Sequence, residues 1–290
     1  MQRSGEKTPV QPDRLRRVEQ LFNECRMQKR LPERKKVQKD SEEVPGSVSG
    51  AFSGIFSGIF SGAAMIATSD GPVFSCACGY ENLAYGIENR LDTAFDTASI
   101  TKLFTAAGIV LLESRGLLRL EDPVHSILDL GGTRIPEDVR LVHLLTHTSG
   151  IADDADEEGG EDYSALFVET PNYSFRENRD FLKNFVYKEP NFRAGEQIRY
   201  NNCGFILLGL VIEKLTGKEY RTFITEEIFR PFGMKDSFFA AKEDTDKRFA
   251  EGYFYGKDGR LKKNIPALPS ARQTAEPIPR CRIWTVSGDM

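Results

Sequence analysis

The chain has 290 residues, 40% of them hydrophobic. That is enough for a sizeable core, and it excludes a wholly disordered chain. The formal charge is −4, with both signs spread along the sequence, so there is no electrostatic case for a nucleic-acid partner.

Residues 1–12 are polar and carry two prolines. From Asp13, a plausible N-cap, the apolar residues Leu15, Val18, Phe22 and Cys25 make a helical stripe. Residues 31–44 are dense in charge and read as a solvated linker. Residues 1–45 therefore form an N-terminal helix and charged linker, and 46–290 form the main domain. No charge falls between Glu43 and Asp70. Gly46, Gly50, Gly54, Gly58 and Gly62 recur every fourth residue within a Phe-Ser-Gly-Ile repeat. On a helix these glycines would line one packing face, and basic residues precede them. A membrane anchor over residues 44–69 is disfavoured, because Gly and Ser leave the stretch weakly apolar. A flexible segment or a duplicated strand lead-in fits better.

Residues 63–68 read as a strand, 69–72 as a turn and 73–80 as the returning strand. Cys76 and Cys78 then face the same way. Five cysteines in no staple spacing read as free thiols in a reducing compartment, which makes the cytoplasm the expected location. Residues 99–115 read as a helix stopped by Gly116. Because residues 100–112 are apolar on almost every side, a buried helix is expected. Residues 117–240 read as mostly helical with polar loops, so the helical part runs over about 99–240. Within it, 153–162 reads as a solvated acidic loop. Strand and turn signals follow at 252–259, and the tail from Pro266 reads as irregular.

Chemistry concentrates at two places. Ser99-Ile100-Thr101-Lys102 opens the apolar helix, and residues three apart share a helix face. Lys102 can therefore reach the Ser99 hydroxyl. A hydroxyl needs a neighbouring base or a favourable field to act as a nucleophile, and the lysine and the helix N-terminus both supply one. Tyr200-Asn201-Asn202 precedes a second apolar helix over 205–215. Side-chain alternation points Tyr200 and Asn202 the same way. A tyrosine among cations can act as a general base, and an asparagine amide can bond a substrate carbonyl. The plainer alternative is a half-buried aromatic followed by an Asn helix cap.

Together these stretches resemble the serine β-lactamase and penicillin-binding-protein superfamily, in its class C-like branch. The similarity covers roughly 60–290 and runs in the family's order. It takes in residues 92–102, the stretch Gly116-Leu117-Leu118-Arg119-Leu120-Glu121-Asp122-Pro123-Val124, Leu144-Leu145-Thr146-His147-Thr148-Ser149-Gly150, residues 200–205 and residues 231–237. The resemblance implies an α/β plus all-α, β-lactamase/DD-peptidase-like fold with the site between its two parts. It implies Ser99, Lys102 and Tyr200 as catalytic residues and Asn202 as substrate-binding. Whether Lys102 or Tyr200 is the base stays open. The substrate would be a small molecule or peptide with an amide or ester: a β-lactam, a D-amino peptide or a simple ester. No cofactor or metal is implied. His143 and His147 are four apart but lack the Glu that a zinc-protease helix needs. The family's third motif, Lys/His-x-Gly on a late strand, is not found downstream of Tyr200; Lys214-Leu215-Thr216-Gly217 has the wrong spacing and ends a helix. The chain is therefore expected to lack the C-terminal sheet strands. The rival reading is a non-catalytic truncated fragment that binds a ligand or partner.

Overall fold

In the computed structural model, the described residues are 16, 61–68, 71–155, 174–239, 249–255, 260–263 and 279–281. The expected N-terminal helix, the charged linker and nearly all of the glycine repeat lie outside them. The chain divides into two compact units. One contains the residues up to Ala94 together with Phe249–Glu251. The other contains Phe95–Arg248 and Gly252–Cys281.

In the first unit, β1 (Gly62–Thr68) and β2 (Gly71–Cys78) pair antiparallel. The register slips between Ile66 and Ala67, where Ala67 meets Pro72 and Ile66 meets Phe74. Proline has no N–H for the ladder, so the strand bulges there. Cys76 and Cys78 lie opposite Ala64 and Gly62, on one face as alternation requires. The expected return strand to residue 80 is split: β3 (Tyr80–Asn82) pairs instead with β4 (Ile87–Glu88). The reason is Gly79, whose φ of 71° turns the chain out of the β2 ladder.

In the second unit, β5 (Phe95–Asp96) leads into a tight 3₁₀ turn over Ala98–Ile100 and then into α1 (Thr101–Ser114). After it come a short helix, α2 (Leu141–Leu145), the long α3 (Cys203–Thr216), and α4 (Tyr220–Ile224), which widens into a π turn over Thr225–Phe229. Next are β6 (Ser237–Phe239) and a hairpin of β7 (Tyr253–Tyr255) with β8 (Leu261–Lys263). Finally β9 (Pro279–Cys281) lies between β5 and β6, so the tail is not irregular throughout. Between Gly116 and Asn202 the described helix is confined to α2 and short 3₁₀ turns. That region is held more by turns and side-chain bonds than the helical reading anticipates.

α3 is apolar all round and sits in the middle of the core, with Cys203 to Ile212 buried on every side. Leu141, Leu144, Phe181, Phe185 and Phe223 are among the side chains that complete that core. Gly217 ends α3 with a φ of 67°, its N–H bonded to the Glu213 carbonyl at 2.9 Å. α1 packs on α3 at Gly108, where a Cβ would stand 3.1 Å from Ile212 Cδ1 and 3.2 Å from the Phe223 ring. A Cβ there would press its neighbours back by a few tenths of an ångström, so glycine suits so close an approach. The expectation that α1 is buried on all sides needs correction. Thr105, Gly108, Ile109 and Leu112 face inward, but Ile100, Leu103 (68% exposed) and Val110 form an exposed apolar stripe. An all-apolar sequence fixes that a helix can be buried, and its neighbours decide how much of it is.

Candidate active site

The site begins with a backbone feature. Ala98 has a φ of 42°, a left-handed value that a residue with a Cβ rarely adopts. Its N–H is held by Asp96 Oδ1 at 2.9 Å, and the Ile100 N–H reaches back to the Thr97 carbonyl at 3.0 Å. Such strain is of the order of 1–3 kcal/mol and persists only where surrounding bonds enforce it. Its effect is a sharp corner from β5 into α1, with Ser99 exposed at the head of the helix.

Lys102, on the first turn of α1, is buried, with 7% exposure. Its ammonium has three protons and three oxygen acceptors: Tyr200 OH at 2.6 Å, Asn202 Oδ1 at 2.8 Å and Ser99 Oγ at 3.2 Å. Ser99 Oγ and Tyr200 OH are 2.5 Å apart, which closes a triangle of hydroxyl, phenol and ammonium. Lys102 Nζ also lies over the rings of Tyr200, at 4.7 Å, and Phe205, at 5.6 Å. All four residues named from the sequence thus converge on one nitrogen. Asn202 occupies the N-cap position of α3, yet its side chain makes no cap bond and turns to Lys102. Capping passes to neighbours: Asn201 Oδ1 takes the Gly204 N–H at 2.7 Å.

Sequence reasoning missed what holds this motif in place. The segment after α2 clamps residues 199–203. The His147 carbonyl takes the Arg199 N–H at 2.9 Å, and His147 Nδ1 takes the Asn201 N–H at 3.2 Å. Asp153 takes two more, Asn202 N–H at 2.9 Å on Oδ2 and Cys203 N–H at 3.2 Å on Oδ1. Lys188 Nζ fixes the same loop by bonding the carbonyls of Asp153 and Asp154 at 3.0 and 2.9 Å. Residues 153–155 are therefore not a solvated acidic loop; Asp154 is buried, and Asp153 is a helix cap contributed from outside the helix. Residues 156–162 of that loop lie outside the described residues.

Asp153, Asp154 and Cys203 place ligand atoms within 4.8 Å of one another. The Asp153 oxygens are already engaged with the two amides. Burial, and after it the charges of Asp154 and Asp153, push the Cys203 thiol well above its usual range. The two amide bonds make Asp153 the cap of α3. Among the described residues, neither His143 nor His147 falls in a group of three or more side chains that could hold a metal ion. His143 Nδ1 accepts the Arg140 N–H within α2's first turn, while His147 lies past the end of α2 with a φ of 57°. Among the described residues, no helix is long and apolar enough to cross a membrane.

The arrangement is a hydroxyl bonded to an ammonium and a phenol, beside an amide. A family profile described as Beta-lactamase matches residues 49–281. The chain belongs to the beta-lactamase family. It is 32% identical over 188 residues to penicillin-binding protein 4* of Bacillus subtilis, covering 61% of this chain and 38% of that protein. It is 32% identical over 167 residues to the D-alanyl-D-alanine-carboxypeptidase/endopeptidase AmpH of Escherichia coli, covering 56% and 41%. The chain thus spans about two-fifths of the length of these curated relatives. A penicillin binding protein from Bacillus halodurans superposes with a TM-score of 0.70 at 36% identity, over 77% of this chain and 67% of that one. The fold is that of the β-lactamase and DD-peptidase group.

One sequence reading needs amending. The letters Lys-x-Gly do occur downstream of Tyr200, as Lys257-Asp258-Gly259 between β7 and β8. The tripeptide lies outside the described residues.

Proposed function

We propose that this beta-lactamase family member is a serine hydrolase that opens an amide or ester carbonyl through an acyl-enzyme on Ser99. The observation that carries the reading is the buried ammonium of Lys102, bonded at once to Ser99, Tyr200 and Asn202. With one proton removed, the Lys102–Tyr200 pair is either a neutral amine beside a phenol or an ammonium beside a phenolate. The two forms differ only by a shift across 2.6 Å. Either form can accept the Ser99 proton as Oγ attacks the carbonyl carbon. The pair then returns that proton to the departing amine or alcohol, and water enters by the reverse route. The Ser99 backbone N–H is offered as one oxyanion donor, and Asn202 as the group that orients the substrate amide.

The similarity to AmpH, a D-alanyl-D-alanine-carboxypeptidase/endopeptidase, supports peptides containing D-alanyl-D-alanine as the first substrates to test, ahead of β-lactams and simple esters. The test is labelling with a fluorescent penicillin and a fluorophosphonate, with the adduct mapped by mass spectrometry. Ser99 should carry the label, and Ser99→Ala should carry none. Equal labelling of Ser99→Ala, or an adduct on another residue, would sink the proposal. Lys102→Ala and Tyr200→Phe should each slow acylation by about two orders of magnitude, with the double variant losing less than the sum.

A further inference from the structure

His147 helps to clamp residues 199–203, and its ring also packs against that of Tyr200. It lies past the end of α2 with a φ of 57°, so both its main chain and its ring are turned toward residues 199–201. Its carbonyl accepts the Arg199 N–H and its Nδ1 accepts the Asn201 N–H. Its ring is tilted against Tyr200 at 4.8 Å between centroids, and against Phe205 at 5.3 Å. Tyr200 is thus held between two backbone anchors and an aromatic face, all from one residue.

We propose that His147 is a positioning residue, whose neutral ring seats Tyr200 for acylation of Ser99 and whose protonation in mild acid unseats it. This rests on the hydrolase reading above and deepens it. The chemistry follows from the tautomer. An N–H aimed at Nδ1 requires a lone pair there, so the ring's own proton sits on Nε2. Adding a second proton puts N–H against N–H at Asn201 and removes the anchor next to Tyr200. The charged groups facing the ring are Lys102 from α1 and Asp153 from its own loop, with Tyr200 and the Arg199 main chain on the segment before α3. Burial, then the Lys102 charge, favours the neutral ring; the Asn201 backbone contact and then Asp153 oppose them without reversing the direction. The working form is therefore the one populated at neutral pH.

Asparagine distinguishes a positioning role from mere packing. It tolerates a left-handed backbone, and its Oδ1 can stand where Nδ1 stands, but it does not titrate. The experiment measures acylation of the full chain by a fluorophosphonate from pH 5 to 8 in wild type, His147→Asn and His147→Phe, alongside the Asn201 amide resonance of the wild type. His147→Asn should keep acylation at neutral pH within a few-fold and lose the acid limb. His147→Phe, without an acceptor, should slow acylation about tenfold or more at every pH, the scale of a misplaced reacting group. The Asn201 amide of the wild type should shift with the same midpoint as the acid limb. An acid limb unchanged in His147→Asn, or an Asn201 amide that does not move as His147 titrates, overturns the proposal. The amide titration reads the contact even if Ser99 takes no label, so a failure of the hydrolase reading is told apart from a failure of this one.

Discussion

Removing the Asp153 carboxylate should damage both the stability of α3 and the geometry of Lys102. In Asp153→Ala two backbone N–H groups at the head of a buried helix lose their acceptor, at 2.9 and 3.2 Å. Losing an ordinary cap costs about 1 kcal/mol, and a bond to a charged acceptor is worth about 1.5–3 kcal/mol. Because water can re-solvate part of this half-buried site, the expected loss is about 2–3 kcal/mol. At about 2–4 °C per kcal/mol, the midpoint of thermal unfolding should fall by about 4–12 °C. Asp153→Asn keeps one acceptor oxygen and should lose roughly half as much. The same carboxylate fixes the main chain of Asn202, whose side chain is one of the three Lys102 partners. Acylation of folded Asp153→Ala should therefore slow about tenfold, within the range of a misplaced catalytic group. Thermal unfolding and fluorophosphonate labelling below the midpoint measure the two effects separately. A loss under about 0.5 kcal/mol, comparable with an ordinary surface substitution, would refute the capping argument. Unchanged acylation would refute the link to Lys102.

Three other outcomes are expected. Gly108→Val should destabilise by more than about 2 kcal/mol, because its Cβ alone already meets Ile212, Phe223 and Ile224 at 3.1–3.3 Å, while Gly108→Ala should change stability by less than half that as its helix propensity offsets the crowding; urea unfolding reads both. Cys203 should resist iodoacetamide at mildly alkaline pH until the protein unfolds, since burial holds its thiol protonated, and alkylation of the native protein counted by mass spectrometry would contradict this. Burial, and then the Lys102 charge, lower the His147 pKa below its ordinary 6.5, so the unfolded chain takes up that proton first as pH falls. The site's contribution to stability is full above the ordinary value and is lost as pH drops through the folded value; thermal midpoints of His147→Asn should decline less than those of wild type over that window.

The proposed site residues were legible because each pair follows a local period. Ser99 and Lys102 are three apart on a helical turn, and Tyr200 and Asn202 are two apart in the segment that leads into α3. Both periods translate directly into the shared contact at Lys102. The supports were not legible. Asp153 caps a helix 49 residues further along the chain, and nothing local marks it as more than another acidic loop residue. His147 owes its part to a left-handed φ, which histidine adopts more readily than most residues but still too seldom for its presence to announce one. The exposed stripe on α1 escaped for a related reason. Composition gives a helix's capacity for burial, while the neighbours that use it come from distant sequence.

The close approach at Gly108 has a mechanical meaning. Ser99 and Lys102 stand at the head of α1 and Asn202 at the head of α3, and the two helices touch some way below. From Lys102 to Gly108 is six residues, about 9 Å along the axis at 1.5 Å each. The contact is a fulcrum and the two helix heads that carry the proposed site are the ends of the arms. A few tenths of an ångström of prying at the glycine can tilt the heads by a comparable amount. The side chains would keep their identities while the hydrogen-bonded triangle lengthens. Substitutions here need not unfold the protein to silence it, so activity is a finer gauge of the fit between these helices than any melting curve.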